Sequence, residues 1–209
     1  MNIASFDIET GPNPDIKFDS SYVKLGNLVD QEKIDAKIEA ARNGFDDMKP
    51  LHASTGVILL VCIKHKGRYE DLAGKEDFIL DIAWKRLTKL RDEGAPLCGH
   101  NIMKFDLPFM LKRSWLLGVN FPHWVYNRRY GRWDEIFFDT MLQWELGNRQ
   151  GYIGLSDLDK KLGGPGVEGG KGFHELAAKD PKAAIEYCHR DLDAVERISA
   201  RLLGWDLKR

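Results

Sequence analysis

Cysteine is scarce in this chain. There are three in 209 residues, Cys62, Cys98 and Cys188, far apart and without a Cys-x-x-Cys pair. That excludes a disulfide framework and a zinc knuckle, and leaves buried free thiols in a reducing compartment as the expectation. No apolar run is long enough to span a bilayer, and no basic segment leads into an apolar one at the start, so a soluble, cytoplasmic protein with no membrane partner is expected. Neither charge is in excess: 31 Lys and Arg against 32 Asp and Glu give a formal net charge of −1. A nucleic-acid partner would have to be held by a local patch or through metal ions, because no global basic field exists. There is no internal repeat and no coiled-coil pattern. The one biased segment is the glycine-rich stretch 163–172. It fails the phosphate-loop pattern, because Pro165 stands where the first glycine is required and Gly172 where Ser or Thr should hold Mg²⁺. It reads as a flexible connection, with Lys171 as a candidate contact to substrate phosphate.

What is present suits one folded domain over 1–209: apolar content is 43% and aromatic content 11%, too rich for a disordered chain. Residues 2–9 read as a buried strand, broken at Gly11-Pro12-Asn13-Pro14. A polar insert follows from about 12 to 54. Within it Asp30 can cap a helix carrying Ile34, Ile38 and Ala41, stopped by Asn43-Gly44. Residues 56–65 are a β run, and Lys66-Gly67 turns it into a partner strand over 68–72. The spacing of Ile79, Ile82, Leu87 and Leu90 predicts an amphipathic helix over 76–93. A short strand at 96–100 precedes a helix whose first turn holds Pro108. A run at 136–138, helices after Asp139-Thr140 and over 155–162, and a last helix from Asp180-Pro181 to about Leu203 complete the order. Strand, hairpin, helix, strand, helix, strand, helices is the order of an α/β domain with a mixed central sheet and helices on both faces.

Acidic residues occupy particular places in that scheme. Alternate side chains of a strand share a face, so Asp7 and Glu9 point together while Phe6 and Ile8 point into a core. Asp106 sits just outside a helix start, since Pro108 disfavours helical geometry at Leu107. Tyr187 and Asp191 are four apart on a helix and share a face. Singly, each has an ordinary reading: an exposed strand face, a helix cap, a solvated acid, a core tyrosine. Together, four acids at element edges suit a pair of hard divalent cations of the kind used in phosphoryl displacement.

Asp7-x-Glu9, then His100-Asn101 with Phe105-Asp106, then Tyr187-x-x-x-Asp191, in this order, resemble the DEDD superfamily of 3′–5′ exonucleases. The last spacing marks its tyrosine branch, which includes proofreading domains of family A and B DNA polymerases. The histidine branch wants His where Glu186 stands. The resemblance runs from Asp7 to Asp191 apart from the insert. It implies an RNase H-like fold with a mixed five-stranded sheet, standing as a separate protein. It implies that Asp7, Glu9, Asp106 and Asp191 bind two Mg²⁺ ions, with Mn²⁺ as substitute and Asp7 bridging both, and that Tyr187 orients the attacking water. Val195 stands where many members carry Thr.

Between Asp106 and Asp134 there is no acid, while Lys112, Arg113, Arg128, Arg129 and Arg132 alternate with Trp115, Phe121, Trp124, Tyr126, Tyr130 and Trp133. Basic groups can track phosphates while aromatic faces stack on bases. Trp115 reads as core; Arg128, Arg129, Tyr130 and Arg132 read equally well as a solvated rim. Thr10, His100, Asn101 and Phe105 are further candidates for contact with the terminal nucleotide. The expected partner is a single-stranded DNA 3′ end, processed to nucleoside 5′-monophosphates, with a polymerase or replication protein nearby in replication or repair. Two alternatives stand beside it: an exoribonuclease with the same chemistry, and a non-catalytic nucleic-acid-binding subunit of a polymerase.

Overall fold

The computed structural model describes residues 2–126, 136–147, 151–168 and 172–204. β1 (Ala4–Pro12) is the central strand. β2 (Gly56–His65) pairs with it antiparallel, and β3 (Arg68–Ala73) pairs antiparallel with β2. The turn between them places Lys66 and Gly67 at φ of 51° and 74°, the two positive values that a two-residue hairpin of this hand requires. On the other side β4 (Leu97–Gly99) and β5 (Phe137–Asp139) run parallel, giving the order β3-β2-β1-β4-β5.

The helices are α1 (Gln31–Met48), α2 (Glu76–Asp92), α3 (Asp106–Leu117), α4 (His123–Tyr126), α5 (Thr140–Glu145), α6 (Leu155–Lys161), α7 (Phe173–Lys179) and α8 (Pro181–Leu202). Strand alternation sorts them onto two faces. Phe6, Ile8, Val61 and Ile63 pack with Ile79, Leu80, Leu87, Leu107 and Met110 of α2 and α3. Leu60 and Cys62, one residue out of phase, pack with Phe173 of α7 and Ala184, Cys188 and Leu192 of α8. This is the RNase H-like arrangement that the motif order implies.

Local chemistry explains the helix limits. Asp180 accepts a hydrogen bond from Ala183 N at 3.0 Å and Pro181 takes the first helical position, where its missing N–H costs nothing. Asp30 likewise caps α1, accepting from Lys33 N at 3.3 Å. α1 runs through Asn43-Gly44 to Met48, past the expected stop, and buries none of its residues. α3 starts at Asp106, two residues before Pro108, so Asp106 lies inside the first turn and not outside it; proline is tolerated there because first-turn N–H groups have no partner within the helix. α4 and α7 were not expected. The glycine-rich segment is also less free than its composition suggests. Gly164 N donates to Asp159 O at 2.8 Å and Gly166 N to the Asp159 carboxylate at 2.9 Å, wrapping the loop's first half around a buried acid that Arg197 of α8 grips.

Two members of the basic, aromatic stretch are corrected. Trp115 is 55% exposed, with its ring edge against Phe121, because it falls on the outer face of α3. Arg113 is buried: it donates to both carboxylate oxygens of Glu76, at 2.8 and 2.6 Å, and to Ala53 O at 3.0 Å. Glu76 in turn accepts from Ile58 N at 2.8 Å. The pair therefore ties α2, α3, the end of the insert and β2 together, and the guanidinium is committed to the fold. Arg113→Ala should destabilise the protein by ~3–5 kcal/mol, because it strands a buried carboxylate. Urea denaturation reads this directly, and a loss under 1 kcal/mol would reduce the pair to a surface contact.

Candidate metal centre

The site forms where β1 runs past its shorter neighbour. β4 pairs with β1 only at Ala4–Leu97 and Ser5–Cys98, then ends at Gly99. Among the described residues the next part of that β1 edge has no strand beside it, so its amides need another acceptor. Asp106 supplies one: its Oδ1 accepts from Ile8 N at 3.1 Å. The chain can reach that position because Gly99 leaves room; a Cβ there would meet Phe6 O at 2.9 Å and Ile102 at 2.1 Å. Asn101 follows at φ 64°, in the left-handed region that asparagine enters more readily than most residues.

Asp7 and Glu9 share the face that looks toward α8, opposite Cys62 and Leu60 respectively. The register shifts between Glu9 and Thr10, and such a bulge twists the strand and re-aims its side chains. From α8, Asp191 and Tyr187 come over the same face, close enough for the Asp191 charge to act on the phenol. Cys188 donates to Asp7 Oδ2 at 3.8 Å. Asp7 and Glu9 are half-buried, whereas Asp106, Asp191 and Tyr187 are buried.

Four carboxylates in so little water push one another toward the neutral form. Burial first, then Asp106, Glu9 and Asp191, hold Asp7 well above the usual carboxylate range. Burial, Asp191 and Asp106 push Glu9 up to about 9. Burial lifts Asp106 to about 7, against the opposing bond from Ile8 N. Burial lifts Asp191 to about 6, opposed by the Tyr187 hydroxyl and Arg190. Among the described residues no lysine or arginine forms an ion pair with Asp7, Glu9 or Asp106, and Asp191 Oδ1 is buried without a donor. This set fits a hard divalent cation: oxygen donors, unneutralised charge and a buried oxygen with an empty coordination direction. Ligand atoms of Asp7, Glu9 and Cys188 lie within 4.8 Å of one another. Burial raises the Cys188 thiol, which keeps it a proton donor to Asp7.

The other expected residues divide. Thr10 is half-buried on β1 just beyond the bulge, beside the acids. Asn101 and Phe105 stand at the loop that delivers Asp106, and Phe105 packs on Phe109 with ring centroids 5.6 Å apart. His100 is held within the fold: Nδ1 meets Thr140 Oγ1 at 2.8 Å and Nε2 meets Ile153 O at 2.9 Å. Arg128, Arg129 and Lys171, with Tyr130, Arg132 and Trp133, lie outside the described residues.

Sequence reasoning missed Asp139. It is buried at the end of β5 and its carboxylate accepts from Asn101 N (2.9 Å), Met103 N (2.9 Å), Met141 N (3.0 Å) and Leu142 N (3.3 Å). It caps α5 and pins the loop that carries Asp106. The signal was an Asx residue closing a short apolar run at a helix start.

Two outcomes follow from this geometry. Asp139→Ala should cost on the order of 2–4 kcal/mol, because it orphans buried N–H groups worth ~1–3 kcal/mol each, and should loosen Asp106; chemical denaturation measures it, and an unchanged midpoint would remove the brace. The acids also set a pH dependence. Their folded-state values are raised, so the folded protein binds more protons than the unfolded chain, and stability falls as pH rises. For Glu9 the fall runs from its ordinary value of 4.5 to about 9. The melting temperature of metal-free protein should drop across that window, and Mg²⁺ or Mn²⁺ should restore it most at the alkaline end. A flat profile would show that the acids do not repel one another.

No protein-family model matches the sequence, and no curated protein matches it. Among solved structures the chain is similar to the family B DNA polymerase from the hyperthermophilic archaeon Pyrobaculum calidifontis, with a TM-score of 0.59 and 16% identity. The match covers 97% of this chain and 24% of that one. This chain therefore spans about a quarter of the polymerase chain it resembles, and what the likeness establishes is the α/β fold.

Proposed function

We propose that this chain is a metal-dependent 3′–5′ exonuclease of the DEDD type, acting on single-stranded DNA ends and releasing nucleoside 5′-monophosphates. The observation that carries this reading is the convergence of Asp7, Glu9, Asp106 and Asp191 from three separate elements onto one spot, each acid raised by burial and Asp191 Oδ1 left without a donor. Among the described residues no lysine or arginine pairs with Asp7, Glu9 or Asp106, and a bound cation is the neutralising partner that such an arrangement supports best. The motif order adds to this, and so does a fold shared with a polymerase chain.

In this reading Asp7, Glu9, Asp106 and Asp191 would hold a pair of divalent ions, Mg²⁺ by donor type and Mn²⁺ as substitute. Such a pair supplies Lewis acidity at the phosphoryl oxygens and lowers the pKa of water. The chain supplies the rest. Burial and then Asp191 push the Tyr187 phenol above its ordinary range, so it stays protonated at neutral pH. It can position a water by hydrogen bonding, the role that suits a protonated phenol. Cys188 holds Asp7 from behind. In this reading Thr10, Asn101 and Phe105 would contact the terminal nucleotide, and Arg128, Arg129 and Lys171, from the sequence alone, are candidates for phosphates upstream. A polymerase or replication protein is the proposed macromolecular partner.

The deciding experiment offers end-labelled single-stranded DNA and RNA with Mg²⁺ or EDTA. Processive loss of 3′ nucleotides from DNA, abolished by EDTA, is expected. Preference for RNA would make the protein an exoribonuclease, and binding without cleavage a non-catalytic module. Asp7→Ala should lower turnover by more than the ~10–100-fold typical of losing an outer-sphere metal partner, while raising the metal-free melting temperature. Wild-type turnover in that variant is incompatible with the site. Tyr187→Phe should slow turnover while the melting temperature still responds fully to Mn²⁺. An unchanged rate assigns Tyr187 to packing alone.

A further inference from the structure

A second group of ligating side chains stands beside the carboxylates and shares no residue with them. Strand register sets it up. Asp7 of β1 lies opposite Cys62 of β2, and Cys62 lies opposite Asp71 of β3, so the three project in a row on the face that α8 covers. α8 places Cys188 and His189 over that row. Ligand atoms of Cys62, Asp71 and His189 lie within 4.8 Å of one another. His189 Nε2 is 2.7 Å from Asp71 Oδ1, and the buried Cys62 thiol completes the group. The imidazole is held in place by stacking on Tyr69, centroids 3.8 Å apart and planes 14° from parallel. Tyr69 is fixed in turn by Asp193.

A sulfur, a ring nitrogen and a carboxylate oxygen thus arrive from three elements within 4.8 Å of one another. Cys62 is fully buried, whereas the side chains of Asp71 and His189 are 27% and 24% exposed. The group therefore opens to solvent on the side away from the thiol. It is not a nucleophilic triad. Cys62 is fully buried, and a buried sulfur cannot meet a substrate.

Donor type separates this group from its neighbour. The oxygen-only acids suit Mg²⁺, whereas one thiolate, one imidazole and one carboxylate suit a borderline-soft ion with four-coordinate geometry and one open position. We propose that Cys62, Asp71 and His189 form a second cation site, selective for a thiophilic divalent ion of the Zn²⁺ class. On binding, the thiol proton leaves to solvent, and neutral His189 ligates through Nε2 with its proton on Nδ1. Cys188, which donates to Asp7 Oδ2 at 3.8 Å, belongs to the neighbouring group and not to this one. The proposal stands whether or not the protein is a nuclease.

The test titrates the metal-stripped full chain with Co²⁺, a visible stand-in for Zn²⁺. The expected result is saturable binding with tetrahedral absorption bands and a thiolate-to-metal charge-transfer band, displaced by Zn²⁺ and indifferent to excess Mg²⁺. His189→Ala and Asp71→Asn, both at partly exposed positions, should each weaken binding by more than ~10-fold, the lower bound for losing even an outer-sphere partner. Cys62→Ser should abolish the charge-transfer band; where that variant fails to fold, the other two carry the test. Asp7→Asn should leave the bands unchanged. Absence of a thiolate band in the wild type, bands that survive both His189→Ala and Asp71→Asn, or bands lost in Asp7→Asn would each overturn the site.

Discussion

A single hydrogen bond, from Ile8 N to Asp106, holds the functional region together. It exists because β4 stops short and leaves an amide of the central strand uncovered. A carboxylate fills the gap that a longer strand would have filled with a carbonyl. In doing so it brings a helix N-terminus, and a negative charge, against the strand that already bears Asp7 and Glu9. The sheet edge and the candidate metal centre are one feature of the backbone.

That arrangement opposes folding. Burying several like charges costs free energy unless something neutralises them, and all four carboxylates are pushed upward in consequence. The surrounding structure is correspondingly braced. Asp139 gathers four amides to fix the loop ahead of Asp106. The Arg113–Glu76 pair locks α2 to α3 behind it. On the opposite face Lys64 reaches Asp193 and Glu196 of α8, at 2.7 and 2.5 Å, and holds that helix to β2. These contacts keep three independent elements from moving apart under mutual repulsion.

Much of this was legible in the sequence because it depends on short-range rules. Alternation in a strand places Asp7 and Glu9 together, a four-residue spacing places Tyr187 with Asp191, and Asp180-Pro181 marks a helix start. What was not legible depends on partners far apart in the chain. His100 looked free until Thr140 and Ile153 were seen at its two nitrogens. Arg113 looked like one more cation in a basic stretch, and its burial is decided by Glu76, 37 residues away. The Cys62, Asp71 and His189 group follows from strand register and from how α8 lies across it, neither of which any spacing rule encodes. α7 was missed because its seven residues follow glycines and carry no capping side chain.

The register of β1 with β2 has a bearing on the chain's history. Pro12 and Gly56 are partners in that ladder, so the excursion between them leaves the sheet and re-enters it at the same rung. Its last part is tied in through Ala53 in the core and the turn Lys49–Leu51, while α1 contributes nothing buried. A lineage could lengthen, trim or exchange the stretch ahead of Lys49 and leave every strand pairing as it stands. The scaffold thereby separates what must be inherited unchanged from what is open to reinvention, and it puts the open part directly downstream of Glu9.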